Sequence, residues 1–363
     1  EQYYETYLRG KNGEQKFYID NVGRISEIIS STDSVAGDDL YLSIDADLQK
    51  ATYLALQNEI AAIVYSNIKS GEIPINDVYT ALIGNSVINT EHFSKSKASD
   101  TEKSVLSVFK SRQKTTLGKI KQELTSSPEA LNTMSDEVLD EFTYIISMLK
   151  DDQVLLKNEI DTSDSVYQKW KDQKISPKEY LNYCITQHWI DISQLNVDEK
   201  YADSTEVYDA LCKYILKNIK TDTEFSKIIY QYMITRGEIS PRQLCLILFD
   251  QGVLDYDDAT VNKLKNGSLS PRDFLMKKIY NIEITPAQLA LEPCIGSCVV
   301  TDEKTGEIRA MVSYPGYDSN KLANGVDSEY FASLQHDKSS PLLNYATQQK
   351  TCLLYTSPSP RDT

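Results

Sequence analysis

Between residues 66 and 288 a hydroxyl-bearing residue followed by proline repeatedly opens an amphipathic run, and a chain built that way has little choice but to fold as a helical array. The device reads Ser176-Pro177-Lys178-Glu179, Ser240-Pro241-Arg242-Gln243, Ser270-Pro271-Arg272-Asp273 and Thr285-Pro286-Ala287-Gln288. In each, the hydroxyl can accept from the amide at the third helical position and proline presets the first, and where that third position is Glu or Gln its side chain can reach back to the amide of the cap. Apolar residues recur at helical spacing in Val105 to Leu117, Val138 to Leu149, Tyr208 to Ile219 and Phe225 to Met233, with few strand-like alternations. The segment is therefore predicted to be all-helical. A fuller echo, GEIPINDVYTAL, QKISPKEYLNYCI, GEISPRQLCLIL and GSLSPRDFLMKKI, fits either divergent duplication of a helical unit or simple recurrence of good caps.

The flanks follow a different period. The opening stretch YYETYLRGKNGEQKFYIDNVGRISEI reads as turn, strand, turn, strand. Leu40, Leu42 and Ile44 then alternate as a half-buried strand. Asp45 follows at an N-cap position, and Leu48, Thr52, Leu56, Ile60, Ile63 and Val64 form one stripe of a long helix. Beyond the helical segment, Ser297 to Thr301 and Glu307 to Ser313 alternate around a turn at Asp302 to Gly306, the pattern of a β-hairpin, and Pro315 with Gly316 ends it. The expected class is α+β.

A net charge of -15 over 363 residues, with no Lys/Arg run, argues against nucleic acid as a partner. No stretch approaches the ~20 apolar residues needed to span a bilayer. Cys184, Cys212 and Cys245 lie in helical patterns and read as small buried hydrophobes. Cys294 and Cys298 could lie near each other, and whether they pair stays open. His92, His188 and His336 are the only histidines. No second ligand pair, G-x-S-x-G, H-E-x-x-H or glycine-rich phosphate loop accompanies them, so neither a metal, a cofactor nor a Ser-His-Asp triad is expected.

Three segments, in order, carry a family resemblance. L-R-G-x-x-G followed by D-x-x-G-R, at Leu8 to Arg24, is similar to the end of the pedestal (dimerisation) domain of class B penicillin-binding proteins. G-x-D-L-x-L-S-I-D-x-x-L-Q, at Gly37 to Gln49, matches the first strand and helix of their transpeptidase domain. Gly296 to Thr351 resembles the approach to the nucleophilic serine, where N-x-A precedes P-G-S-x-x-K; Tyr345 departs from the arginine usual between the Asn344 and Ala346 positions. The resemblance implies a partial transpeptidase domain at 40–65 and 289–351, preceded by the end of a β-rich pedestal at 1–39 and split by the helical insertion at 66–288.

For the intact parent it implies serine D,D-transpeptidase chemistry on peptidoglycan stem peptides, acylation by β-lactams, and no cofactor. It also implies division or elongation proteins as partners, and a membrane anchor upstream of Glu1 on the extracytoplasmic face. The nucleophile itself is not met. Cys352 to Thr363 reads CLLYTSPSPRDT, which matches a translated transposon-based sequencing adapter, so these residues are expected to be foreign and the chain to be an inactive fragment, with no catalytic residue named in it. The alternative is a catalytically dead relative whose insertion docks a partner.

The family motifs have look-alikes here. S-x-x-K spacing occurs at Ser66/Lys69, Ser94/Lys97, Ser107/Lys110 and Ser147/Lys150, none after P-G. Lys304-Thr305-Gly306 spells K-[ST]-G, but in the turn of the first hairpin rather than on a strand far downstream of a nucleophile.

Overall fold

The computed structural model describes residues 3–126, 129–195, 197, 203–323 and 325–349; the stretch read as foreign, Cys352 to Thr363, lies outside them. In chain order the elements are α1 (Glu5–Leu8), β1 (Glu14–Ile19), β2 (Ile25–Thr32), α2 (Ala46–Ser70), α3 (Ile75–Gly84), α4 (Asp100–Thr125), α5 (Asp136–Asp151), α6 (Ser165–Lys171), α7 (Pro177–Thr186), α8 (Ser204–Ile219), α9 (Thr223–Thr235), α10 (Pro241–Asp250), α11 (Asp258–Asn266), α12 (Pro271–Tyr280), α13 (Pro286–Leu289), β3 (Gly296–Thr301), β4 (Ile308–Tyr314), α14 (Ser328–His336) and α15 (Tyr345–Gln348). The class is α+β, dominated by helix. Contacts divide the chain into two compact units, Glu1–Tyr53 with Cys298–Val312, and Leu54–Ser297 with Ser313–Thr363.

In the first unit β1 and β2 pair antiparallel, from Glu14 opposite Thr32 to Ile19 opposite Ile25. The D-x-x-G-R turn closes them because Asp20 Oδ1 accepts from the amides of Val22 and Arg24, each at 2.9 Å. Gly10 is required where it stands: its φ is +66°, and a Cβ there would come 2.3 Å from the Val35 carbonyl oxygen. Glu5–Leu8 forms a short helix ahead of β1. One expectation needs correction. Leu40 to Ile44 forms no strand: Asp45 N donates to Arg309 O at 2.9 Å and Ser43 Oγ to Ile308 O at 2.8 Å, contacts at one end of the segment and too few for a ladder. Leu40 and Leu42 are accordingly 46% and 71% exposed.

The second unit holds one continuous core that runs from Val64 and Ile68 of α2 to Leu289 of α13. Helix α9 packs against α3, α4 and α5. At its centre the Tyr230 ring stacks on Phe109 with centroids 4.2 Å apart and meets Phe93 edge-on at 5.8 Å. A second aromatic stack, Trp170 on Tyr180 at 4.5 Å, joins α6 to α7. Gly296, where β3 begins, lies so close to α2 that a Cβ would stand 3.0 Å from Ile60 Cδ1 and 3.2 Å from Leu56 Cδ1.

Each proline-led cap forms, with differences in the third-position side chain. Ser240 and Thr285 make reciprocal capping boxes with Gln243 and Gln288. Ser176 and Ser270 accept from the amides of Glu179 and Asp273, but at Ser270 the carboxylate accepts from the cap's hydroxyl at 2.8 Å instead, since Asp is one methylene short of the span. The sequence echo also has a structural content. Gly71, Gln173, Gly237 and Gly267 all adopt left-handed φ values of 89°, 58°, 74° and 81°, and each is followed two residues later by an aliphatic side chain that is buried or packs on the core, Ile73, Ile175, Ile239 and Leu269. A helix end, a left-handed residue, an aliphatic anchor and the next helix start thus recur as one unit. Gln173 is the one non-glycine of the four, in a conformation that costs an L-residue roughly 1–2 kcal/mol.

Candidate functional site

The N-x-A run, where the sequence places the approach to a nucleophile, is anchored to the end of β4. Ser313 Oγ donates to Asn344 Oδ1 at 3.1 Å and accepts from the amide of Ala346 at 3.2 Å. Tyr345 is 6% exposed and its hydroxyl donates to Ser339 O at 2.8 Å. Tyrosine therefore turns inward to a local carbonyl, and burial raises its phenol above the ordinary range. Residues from 350 onward lie outside the described ones.

Lys304-Thr305-Gly306 sits in the β3–β4 turn. Asp302 Oδ1 accepts from the amides of Lys304 and Thr305 at 2.9 and 3.0 Å, and these bonds hold its carboxyl below the usual range. Gly306, at φ +74°, donates to Asp302 O at 2.9 Å. The residues between the strands are committed to closing the hairpin.

With this geometry in view, comparison with known proteins is specific at the amino-terminal end. Residues 1–42 match the family model described as Penicillin-binding Protein dimerisation domain. The amino-terminal segment is thus similar to the dimerisation domain of penicillin-binding proteins. The chain is 46% identical over 50 residues to "Peptidoglycan D,D-transpeptidase MrdA" of Escherichia coli (strain K12), covering 14% of this chain and 8% of that protein. It is 34% identical over 106 residues to "Peptidoglycan D,D-transpeptidase FtsI" of the same strain, 29% of this chain and 17% of that protein. To "Peptidoglycan D,D-transpeptidase PbpA" of Mycolicibacterium smegmatis it is 43% identical over 60 residues, 16% and 12% respectively. The matched part is thus a small share of each relative's length. No solved structure matches the chain.

The S-x-x-K look-alikes do not sit as a penicillin-binding nucleophile does, at the start of a helix inside a cleft. Ser66, Ser107 and Ser147 are exposed within α2, α4 and α5, and Ser94 is exposed at the end of a short 3-10 turn. Ser111 and Lys114 repeat the spacing within α4 as well. Among the described residues no group of three His, Cys, Asp or Glu is placed to hold a metal ion. Cys184, Cys212, Cys245, Cys294 and Cys298 are free thiols. Burial pushes Cys184 and Cys245 up to about 12 and Cys212 up to about 11, so these sulfurs are packing groups rather than nucleophiles. His188, at φ +59°, ends α7.

Two buried acid sites in the insertion escaped sequence reasoning. Glu102 is fully buried and closes a capping box with Ser99 at the start of α4. Its Oε1 also accepts from Gln251 Nε2 at 2.8 Å and lies 2.7 Å from His92 Nδ1. Burial pushes this carboxyl up, but the bonds from Gln251, the Ser99 amide and His92 outweigh it, and the net shift is downward. The S-x-x-E spacing was a legible signal for the cap; the long-range partners were not legible.

The second site joins α4, α5 and α9. Glu137, 4% exposed, accepts from Arg112 Nη2 at 3.2 and 3.3 Å and from Arg236 Nη1 and Nη2 at 3.1 and 2.5 Å. Arg112 Nη1 also pairs with Glu238 at 3.5 Å. Glu141, one turn along α5 and 1% exposed, has an Oε1 without a hydrogen-bond partner. Burial, reinforced by the charge of Glu137, pushes its carboxyl up to about 8.

Proposed function

We propose that the intact protein is a penicillin-binding, peptidoglycan-cross-linking D,D-transpeptidase. A serine beyond Thr351 would be acylated by a stem peptide and then released by a neighbouring strand's amine, and β-lactams would be held at the acylated stage. Residues 1–39 would end its pedestal, 40–65 with 289–351 would begin its transpeptidase domain, and 66–288 would be an insertion. An anchor preceding Glu1 would hold it at the extracytoplasmic face of the cell membrane, among division or elongation proteins, and the present chain would itself be inactive. The observation that carries this reading is the order of the matches, with the dimerisation model at residues 1–42 and the N-x-A run anchored on Ser313 at the far side of the insertion.

The test is to read the native gene past the codon for Thr351, express the full protein and label it with fluorescent penicillin. P-G-S-x-x-K with label lost on Ser→Ala supports the proposal. Absence of the motif together with absence of label overturns it. That second outcome would favour the other reading, a catalytically dead relative in which the insertion is an interaction module, which the insertion's own continuous core supports.

A further inference from the structure

The last turns of α2 and one face of α12 border an open cleft of about 490 Å³ within the second unit. Tyr65 and Lys69 stand on α2, one turn apart. Arg272, Asp273, Met276, Lys277 and Tyr280 follow one another along α12 at the spacing of a single helical face. Met276 is buried, while Lys69, Arg272, Lys277 and Tyr280 are exposed. The Tyr65 and Tyr280 rings lie 5.2 Å apart, tilted by 60°, so the end of the cleft is aromatic rather than charged.

Two of the polar groups are spoken for in part. Arg272 Nη2 donates to Ile68 O at 3.2 Å, fixing α12 to the end of α2, and Asp273 accepts from Ser270 Oγ at 2.8 Å. Lys69 and Lys277 make no salt bridge among the described residues. The cleft therefore carries three cations against one acid on a chain of net charge -15.

We propose that this cleft is a docking site for a short acidic peptide segment of a partner protein. Charge complementarity sets the sign of the ligand, because an anion is drawn to a local excess of cations on a chain that is acidic as a whole. The shape sets its class. From Arg272 to Tyr280 the face runs about 12 Å at ~1.5 Å per residue, the length of roughly four residues of extended chain. Cations along the two walls meet carboxylates, and the methionine floor with the paired tyrosines takes an apolar side chain. A nucleic acid or anionic bilayer is disfavoured by the small number of cations in the cleft and the chain's net charge of -15, since affinity for polyphosphate surfaces grows with the number of cations engaged. The proposal is independent of the transpeptidase reading.

The probe is a short fluorescein-labelled peptide alternating glutamate with leucine, titrated with the full chain by fluorescence anisotropy. The expected result is saturable binding that weakens at least tenfold in Lys69→Glu/Lys277→Glu, weakens in Tyr280→Ala, and falls with added salt. The same charge change at exposed sites outside the cleft, Lys157→Glu/Lys213→Glu, should leave affinity within about twofold. Circular dichroism melts establish that each variant is folded, and Lys69→Ala/Lys277→Ala replaces the reversal if that variant is not. No saturable binding, or equal losses at the cleft and at the distant lysines, overturns the proposal. So does binding to phosphatidylglycerol vesicles with none to the peptide.

Discussion

Glu141 stands one turn beyond Glu137 on α5, and where Glu137 is gripped by two guanidinium groups, the Oε1 of Glu141 has no hydrogen-bond partner in a site that is 1% exposed. The two carboxyls differ in cost because only one is compensated: an ion buried without partners is expensive, and protonation is the cheaper state.

The pH dependence follows from this. The Glu141 carboxyl is raised from its ordinary 4.5 to about 8 in the folded chain, so the unfolded chain gives up its proton first as pH rises. Its contribution to stability is fully present below pH 4.5, declines as pH climbs, and is lost above about 8. Glu141→Gln should match the parent most closely at pH 4.5 and below and become progressively more stable than it towards pH 9, by about 2 kcal/mol or more, since each tenfold change in proton affinity corresponds to ~1.4 kcal/mol. Thermal melts across that range decide it, and a constant difference between the two proteins would show that Glu141 is not the titrating group.

Removing the Glu137 carboxylate leaves Arg112 and Arg236 facing each other without their shared acceptor. Glu137→Ala should destabilise the chain by about 3–5 kcal/mol, the usual effect of breaking a buried pair from one side. Urea denaturation measures this, and a loss under ~1 kcal/mol would mean that the site hydrates on mutation.

The insertion should fold without the flanks. Its core, however, includes Val64 of α2 and Leu289 of α13, just outside residues 66–288. Residues 66–288 are expected to be helical and to melt cooperatively, and residues 54–297 to do the same at a higher midpoint, because truncating apolar core contacts costs about 2–5 kcal/mol for a large side chain. Far-UV circular dichroism with a melt tests both; helicity without a cooperative transition in both pieces would count against an autonomous unit.

The chain should form no covalent adduct with fluorescent penicillin. The S-x-x-K serines are exposed on helices or at a turn, and Lys304 belongs to a hairpin turn. A stoichiometric serine-linked adduct, located by peptide mass mapping, would refute this.

Local sequence settled whatever depends on neighbours within a few residues. Helix starts at Ser176, Ser240, Ser270 and Thr285, the Asp20 and Asp302 turns, and the stripes of α4, α5, α8 and α9 were all legible, because caps and periodicity are encoded locally. The ordered family segments were legible for the same reason. Packing settled whatever joins distant positions. Arg112 and Arg236 meet on Glu137 across 25 and 99 residues, and Lys69 meets Arg272 and Lys277 at one cleft. Leu40 and Leu42 alternate as a strand would, yet an alternating segment becomes a strand only where a partner supplies a ladder, and here the segment's bonds to β4 are confined to Ser43 and Asp45. Gln173 takes a left-handed turn that favours glycine because the Ile175 side chain behind it is buried. Burial is a property of the whole packed unit, and no local window of sequence contains it.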